Sequence, residues 1–139
     1  MVFDLSTHES RYLFKFGCES YMNKYQQLID FLPPLSNFRN DISGTTTSYR
    51  INQSQIENTE RPALVFLHGF NGSSKSWACQ FAHFTNHTVI AIDAPGFGES
   101  QSVEGGMVAI ADEVAALIAS LVTGEVVIIG HSMGGMLAQ

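Results

Sequence analysis

Gly130-His131-Ser132-Met133-Gly134-Gly135 is the stretch of this sequence best suited to do chemistry. It follows Val126-Val127-Ile128-Ile129, an apolar, β-branched run of the kind that forms a buried parallel strand. A serine at the apex of a tight strand-to-helix turn sits in strained backbone, so the residues two before and two after it must be small to let the chains pass. Gly130 and Gly134 meet that need. Such a turn lifts the Ser132 hydroxyl out of the sheet as a nucleophile. It also aims the first free amide of the next helix, the N–H of Met133, at a developing oxyanion. The bland alternative is a glycine-rich turn with an incidental serine, and the segments upstream weigh against it.

Two of those segments end in the same way. Ala63-Leu64-Val65-Phe66-Leu67-His68 is a short apolar run bounded by Pro62 and Gly69, which predicts a buried strand. Thr88-Val89-Ile90-Ala91-Ile92-Asp93 predicts another, closed by Ala94-Pro95-Gly96-Phe97-Gly98-Glu99-Ser100. A helix is expected through Trp77 to about Phe84. A longer one is marked by Met107, Ile110, Ala111, Val114, Leu117, Ile118 and Leu121 at helical spacing. Strand, helix, strand, helix, strand, with each strand apolar throughout, predicts an α/β fold whose parallel sheet is covered on both faces. Chemistry in such a sheet collects at the carboxyl ends of the strands. If the strands ending at His68 and Gly130 are neighbours, Gly69 lets the backbone come close. The N–H of Phe70 then joins that of Met133 in a two-donor oxyanion hole, where losing one donor costs about 3 to 4 kcal/mol of transition-state stabilisation.

The first third of the chain carries little chemistry. Tyr21, Met22, Tyr25, Leu28, Ile29 and Leu32 lie on one face of an amphipathic helix that Pro33-Pro34 stops. Its polar face holds Glu19, Lys24 and Asp30, with no basic stripe, which favours packing over membrane binding. Residues 35–61 are polar; within them Thr47 to Asn52 is an expected early strand and 58–62 a turn. The expected division is a helical and polar extension over residues 1–46 and a catalytic-type domain over 47–139.

A formal charge of −6 with no basic cluster argues against a nucleic-acid partner. No run of 18 apolar residues is present to span a membrane. Asp4 and Glu9 stand where a targeting peptide would want cations, so a cytoplasmic location is expected. Cys18 and Cys79 are far apart and in no C-x-x-C spacing; they read as reduced thiols, with no metal or other cofactor implied.

With these residues in place, residues 47–139 resemble the first half of an α/β-hydrolase. Leu67-His68-Gly69-Phe70 with Trp77 resembles that family's oxyanion loop. Asp93-Ala94-Pro95-Gly96-Phe97-Gly98-Glu99-Ser100 resembles its D-x-P-G-x-G-x-S turn, and Gly130 to Gly135 its nucleophile elbow. The resemblance implies Ser132 as nucleophile and Phe70 and Met133 as oxyanion amides, with His68, Gly69, Gly130, His131 and Gly134 supporting them. It implies cleavage of an ester, thioester or C–C bond of a small acyl substrate through an acyl-enzyme. Branches of the family that open epoxides or displace halide carry aspartate at the nucleophile position, so the serine disfavours them.

The family's triad acid and histidine follow the nucleophile, whereas this chain stops at Gln139. No internal histidine replaces them. His131 is adjacent to Ser132, and successive side chains at a strand end are expected to point apart. His68 reads as loop-shaping, His83 and His87 fall at the far edge of the sheet, and His8 has no placed role. The expectations are an incomplete α/β-hydrolase domain without normal turnover by itself, and an apolar strand edge at Val126–Ile129 that favours self-association or a partner chain. The alternatives are a non-catalytic fragment or one half of a two-chain enzyme. A remoter one is a nucleotide binder, because Gly69 to Ser76 approaches the phosphate-cradling G-x-x-x-x-G-K-[ST], with Ser74 in place of the second glycine.

Overall fold

The computed structural model describes residues 22–52 and 61–139. Cys18, His8, Glu19, Tyr21 and the turn residues 58–60 lie outside the described residues. The chain forms two units, Met1–Phe31 and Leu32–Gln139. In the first, residues 22–30 form a helix (α1) in which Tyr25, Leu28 and Ile29 are less exposed than the polar residues between them, as the helical spacing predicts. Met22, assigned to the same face, is exposed.

The second unit is built on one five-stranded sheet: β1 (Leu35–Arg39), β2 (Thr46–Ile51), β3 (Ala63–Leu67), β4 (Val89–Ile92) and β5 (Val126–Gly130), in the spatial order β1-β2-β4-β3-β5. Between the strands come a 3-10 turn at Ser74–Trp77, helix α2 (Ala78–His83) and helix α3 (Gly106–Leu121), and after β5 the short helix α4 (Met133–Leu137). β3 pairs in parallel with β4 on one side and with β5 on the other. The three apolar runs are thus the parallel strands their composition predicts.

The sheet as a whole is mixed, which corrects the expectation of parallel pairing throughout. β1 is antiparallel to β2, and β2 is antiparallel to β4. β1 lies in a polar stretch that gives no strand signal, because only one side of this hairpin meets the core. Phe38, Tyr49 and Ile51 pack on the α3 side, while the cross-strand pair Asn37 and Ser48 is polar on the other.

The two faces of the central strands are covered differently. Val65, Leu67, Ile90 and Ile92 pack with Val114 and Leu117 of α3. Leu64, Phe66, Val89 and Ala91 pack beneath Trp77, Phe81 and Phe84. β3 and β4 are buried along their whole length, each large side chain contributing about 1.5 to 3 kcal/mol of transfer free energy. β5 pairs only with β3 among the described strands, and Val127 and Ile128 remain 43% and 41% exposed. The carboxylate of Glu113, buried within α3, accepts from Asn40 Nδ2 at 2.9 Å and ties the turn after β1 to that helix. Among the described residues no helix is long and apolar enough to cross a membrane.

Candidate active site

The β3–β5 register pairs Leu67 with Gly130, and the N–H of His131 continues the ladder by donating to the Leu67 carbonyl at 3.0 Å. Residues 68–70 and 131–133 therefore leave the sheet side by side. At that point the chain turns abruptly: Ser132 has φ 53° and ψ −115° and is the only non-glycine with positive φ among the described residues. Such backbone costs about 1 to 3 kcal/mol, and it persists only where the surroundings over-determine it. Here the surroundings are backbone. A Cβ on Gly130 would lie 2.1 Å from the Gly134 carbonyl oxygen, and one on Gly134 would lie 2.1 Å from that of Leu67. The crossing of β5, α4 and β3 thus leaves no room for a side chain at either position.

Beyond this crossing lies a cavity of about 550 Å³ lined by Ser132, His131, Phe70, Gly69, His68 and Trp77, with Asn71, Gly72 and Ser76. Ser132 and His131 are exposed to it, while Met133 is buried directly behind. The N–H of Met133 is the first of α4 and has no carbonyl one turn back within the helix. The N–H of Phe70 donates to no backbone carbonyl among the described residues. The Phe70 ring, 69% exposed, stands edge-on to Phe97 at 5.4 Å, and Phe97 is edge-on to His68.

His68 is fully enclosed and both of its ring nitrogens are engaged. The N–H of Ala94 donates to Nε2 at 3.1 Å, so Nε2 is the acceptor and the proton resides on Nδ1, which donates to the Gly69 carbonyl at 2.7 Å. That neutral, doubly bonded ring has no lone pair left for proton transfer. Its contact fixes the Gly69 carbonyl, and because a trans peptide holds C=O and N–H on opposite sides, it also sets the direction of the Phe70 N–H.

His131 departs from the expectation that it points away from Ser132. The positive φ at Ser132 breaks the strand alternation, and both residues line the cavity. The imidazole sits against Gly69, where a Cβ would come within 2.8 Å of Nδ1. No hydrogen bond joins it to Ser132. His83 and His87 flank Phe84, at the end of α2 and just before β4. That is the amino end of the strands, away from Ser132. No aspartate or glutamate lines this cavity, and no group of three metal-ligating side chains occurs among the described residues.

Asp93 shapes the neighbouring turn. Buried, it accepts from the N–H of Ser74 and, at 3.2 Å, from that of Glu99, while its own carbonyl accepts from Ser100 Oγ at 2.6 Å. Gly98, with φ 54°, passes so close that a Cβ would lie 2.3 Å from the Asp93 carboxylate. These bonds also weigh against the phosphate-loop alternative. Five of the amides that would wrap a phosphate are already committed: Gly72 to Gly69, Ser73 to Ser76 Oγ, Ser74 to Asp93, Lys75 to Ser73 Oγ, and Ser76 to Ser73.

Residues 62–139, more than half of the chain, match the family described as the alpha/beta hydrolase fold, and the chain belongs to that family. It is 38% identical over 82 residues to the 2-succinyl-6-hydroxy-2,4-cyclohexadiene-1-carboxylate synthase of an Enterobacter species, covering 56% of this chain and 31% of that enzyme. The Salmonella agona enzyme of the same name is 35% identical over 81 residues, with the same coverage of both chains. Among solved structures, a probable hydrolytic enzyme from Pseudomonas aeruginosa superposes with a TM-score of 0.63 at 25% identity, over 76% of this chain and 36% of that one. Aspergillus niger epoxide hydrolase shares the fold alone, with a TM-score of 0.67 at 17% identity over 84% of this chain and 32% of its own. The chain thus spans about a third of the length of the curated relatives it matches.

Proposed function

We propose that this chain carries the nucleophile and oxyanion half of a serine acyl-transfer site, with Ser132 attacking the acyl carbonyl and the N–H groups of Phe70 and Met133 receiving the oxyanion. The observation that carries this reading is the strained Ser132 at the mouth of the cavity it shares with Phe70. A backbone conformation this costly, braced by two glycines that tolerate no Cβ, is what presenting a hydroxyl to a substrate requires. The bond cleaved is an ester, a thioester or an activated C–C bond. The curated relatives are named as synthases of a cyclic carboxylate, which supports keeping the C–C class beside the esters.

A second reading follows from the cavity walls. His68 has both nitrogens committed, His131 is not bonded to Ser132, and no carboxylate lines the site. The described residues therefore offer no general base with an orienting acid, and the chain by itself is expected to acylate slowly and turn over poorly. Added imidazole tests both readings together. Incubated with p-nitrophenyl acetate, the chain should gain the mass of one acetyl group faster as imidazole is added, with the label on Ser132 by peptide mapping and absent in Ser132→Ala. Labelling undiminished in Ser132→Ala would sink the assignment of the nucleophile. Rapid multiple turnover without imidazole would sink the reading that a base is missing.

A further inference from the structure

Asn71 lines the first cavity, yet the acylation chemistry gives it no part. It is exposed, and its carboxamide makes no hydrogen bond among the described residues. Its position is fixed from the backbone. The N–H of Gly72 donates to the Gly69 carbonyl at 2.9 Å, closing a β-turn whose two corner residues are Phe70 and Asn71. The same carbonyl accepts from His68 Nδ1. A Cβ on Gly72 would lie 2.9 Å from His68 Cβ and from Ser76 Oγ, so the turn is pressed between the segments that flank it. Neither corner N–H donates to a backbone carbonyl among the described residues. Asn71 is thus carried on the same short turn as the amide assigned to the oxyanion, one residue further along.

The chemistry of the lining narrows what Asn71 can read. Phe70 and Trp77 give the cavity aromatic surface, and the Trp77 ring is backed by Phe66 at 4.9 Å between centroids. His68 is neutral with both nitrogens engaged, and no lysine, arginine, aspartate or glutamate among the described residues lines the space. Besides Ser132 and His131, the polar side chains are those of Asn71 and Ser76, and Ser76 Oγ already accepts from the N–H of Ser73. An uncommitted carboxamide offers two donor protons on Nδ2 and an acceptor at Oδ1. That set matches a hydroxyl, which both donates and accepts. It supplies no charge to offset a carboxylate taken out of water.

Taking Ser132 as the nucleophile, we infer that Asn71 is a specificity-determining residue and that the acyl donor is a hydroxyacyl ester. Its uncharged, mainly apolar chain lies against Phe70 and Trp77 and carries a hydroxyl bound by the Asn71 carboxamide. The amide that receives the oxyanion and the side chain that reads the hydroxyl belong to one clamped turn. A substrate bearing the hydroxyl is therefore aligned for attack, and one lacking it is held less well.

Acylation of the chain in imidazole, read as mass gain on Ser132 with the Ser132→Ala background subtracted, tests this with p-nitrophenyl esters of β-hydroxybutyrate, butyrate and hemisuccinate. The β-hydroxybutyrate ester should acylate about fivefold faster than the butyrate ester, the usual effect of one neutral hydrogen bond. The hemisuccinate ester, which ends in a carboxylate, should be no faster than butyrate. Asn71→Ala should abolish the preference for the hydroxyl, and Asn71→Gln, which keeps the carboxamide, should recover part of it. Position 71 is exposed, so the fold is retained. A merely structural role for Asn71 would lower both rates together and leave their ratio unchanged. The inference is overturned if the parent shows no preference for the hydroxyl, if the preference survives in Asn71→Ala, or if hemisuccinate is the fastest. Ser132 acylated without that preference would remove the role of Asn71 and leave the nucleophile standing. No acylation of Ser132 by any ester would remove the nucleophile, and the role of Asn71 with it.

Discussion

The two walls of the first cavity are built in opposite ways. On the β3–β4 side, His68 follows a strand that is buried from end to end and sits in a closed hydrogen-bond set, and Asp93, after the equally buried β4, closes a second set in the neighbouring turn. On the β5–α4 side, Ser132 and His131 are exposed, the strand before them has one partner among the described strands, and the helix that follows is five residues long. The closed wall is held by many contacts at once. The open wall is held mostly by a single backbone crossing at Gly130 and Gly134. The strain at Ser132 can persist only because that crossing is pinned to the closed wall, through Leu67 in particular.

The crossing is therefore the sharpest place to break the difference. Gly134→Ala drives a Cβ into the Leu67 carbonyl, a backbone atom that cannot yield. We expect a loss above about 4 kcal/mol, the range reserved for severe steric or packing failure, read as loss of cooperative urea unfolding. A parent-like midpoint would show that α4 shifts freely and that the open wall is not pinned.

A smaller effect compares the interiors of the two walls. Ile92→Ala in β4 removes a fully buried side chain and should cost about 2 to 5 kcal/mol, whereas Ile128→Ala in β5 should cost under about 1 kcal/mol. Equal losses by denaturant titration would mean that β5 is as enclosed as β4 in solution.

The smallest effect on stability, though not on behaviour, is expected from Ile128→Lys. An edge strand with unpaired backbone groups and no charged side chain invites pairing with a second copy, and one lysine blunts it. Sedimentation velocity should show the parent self-associating with concentration and the variant shifted to monomer, its unfolding midpoint little changed. A parent that stays monomeric at all concentrations would remove the edge as an association surface.

Much of this was readable in the residues. The apolar runs ending at Leu67, Ile92 and Gly130 are strands because β-branched and aliphatic side chains suit a sheet covered on both sides. The requirement for glycine at 130 and 134 follows from the turn alone. β1 was not readable, since its core contact falls to Phe38 within a polar stretch. Nor was the place of His131, because period-two alternation assumes extended backbone and Ser132 is not extended. The 3-10 start at Ser74 also escapes a periodicity scan, as its capping box, Ser73 with Ser76, is a side-chain arrangement over one turn.

By itself the sequence determined the three parallel strands, the longer helices and the sites of backbone constraint, for these depend on sterics and hydrophobic period within a few residues. Tertiary structure alone decided the strand order that sets β3 between β4 and β5, the tautomer of His68, and the meeting of Phe70, Asn71 and Ser132 around one cavity. Those outcomes depend on which strands pair and in what register. That choice is made by burial across the whole sheet, and no local window of residues contains it.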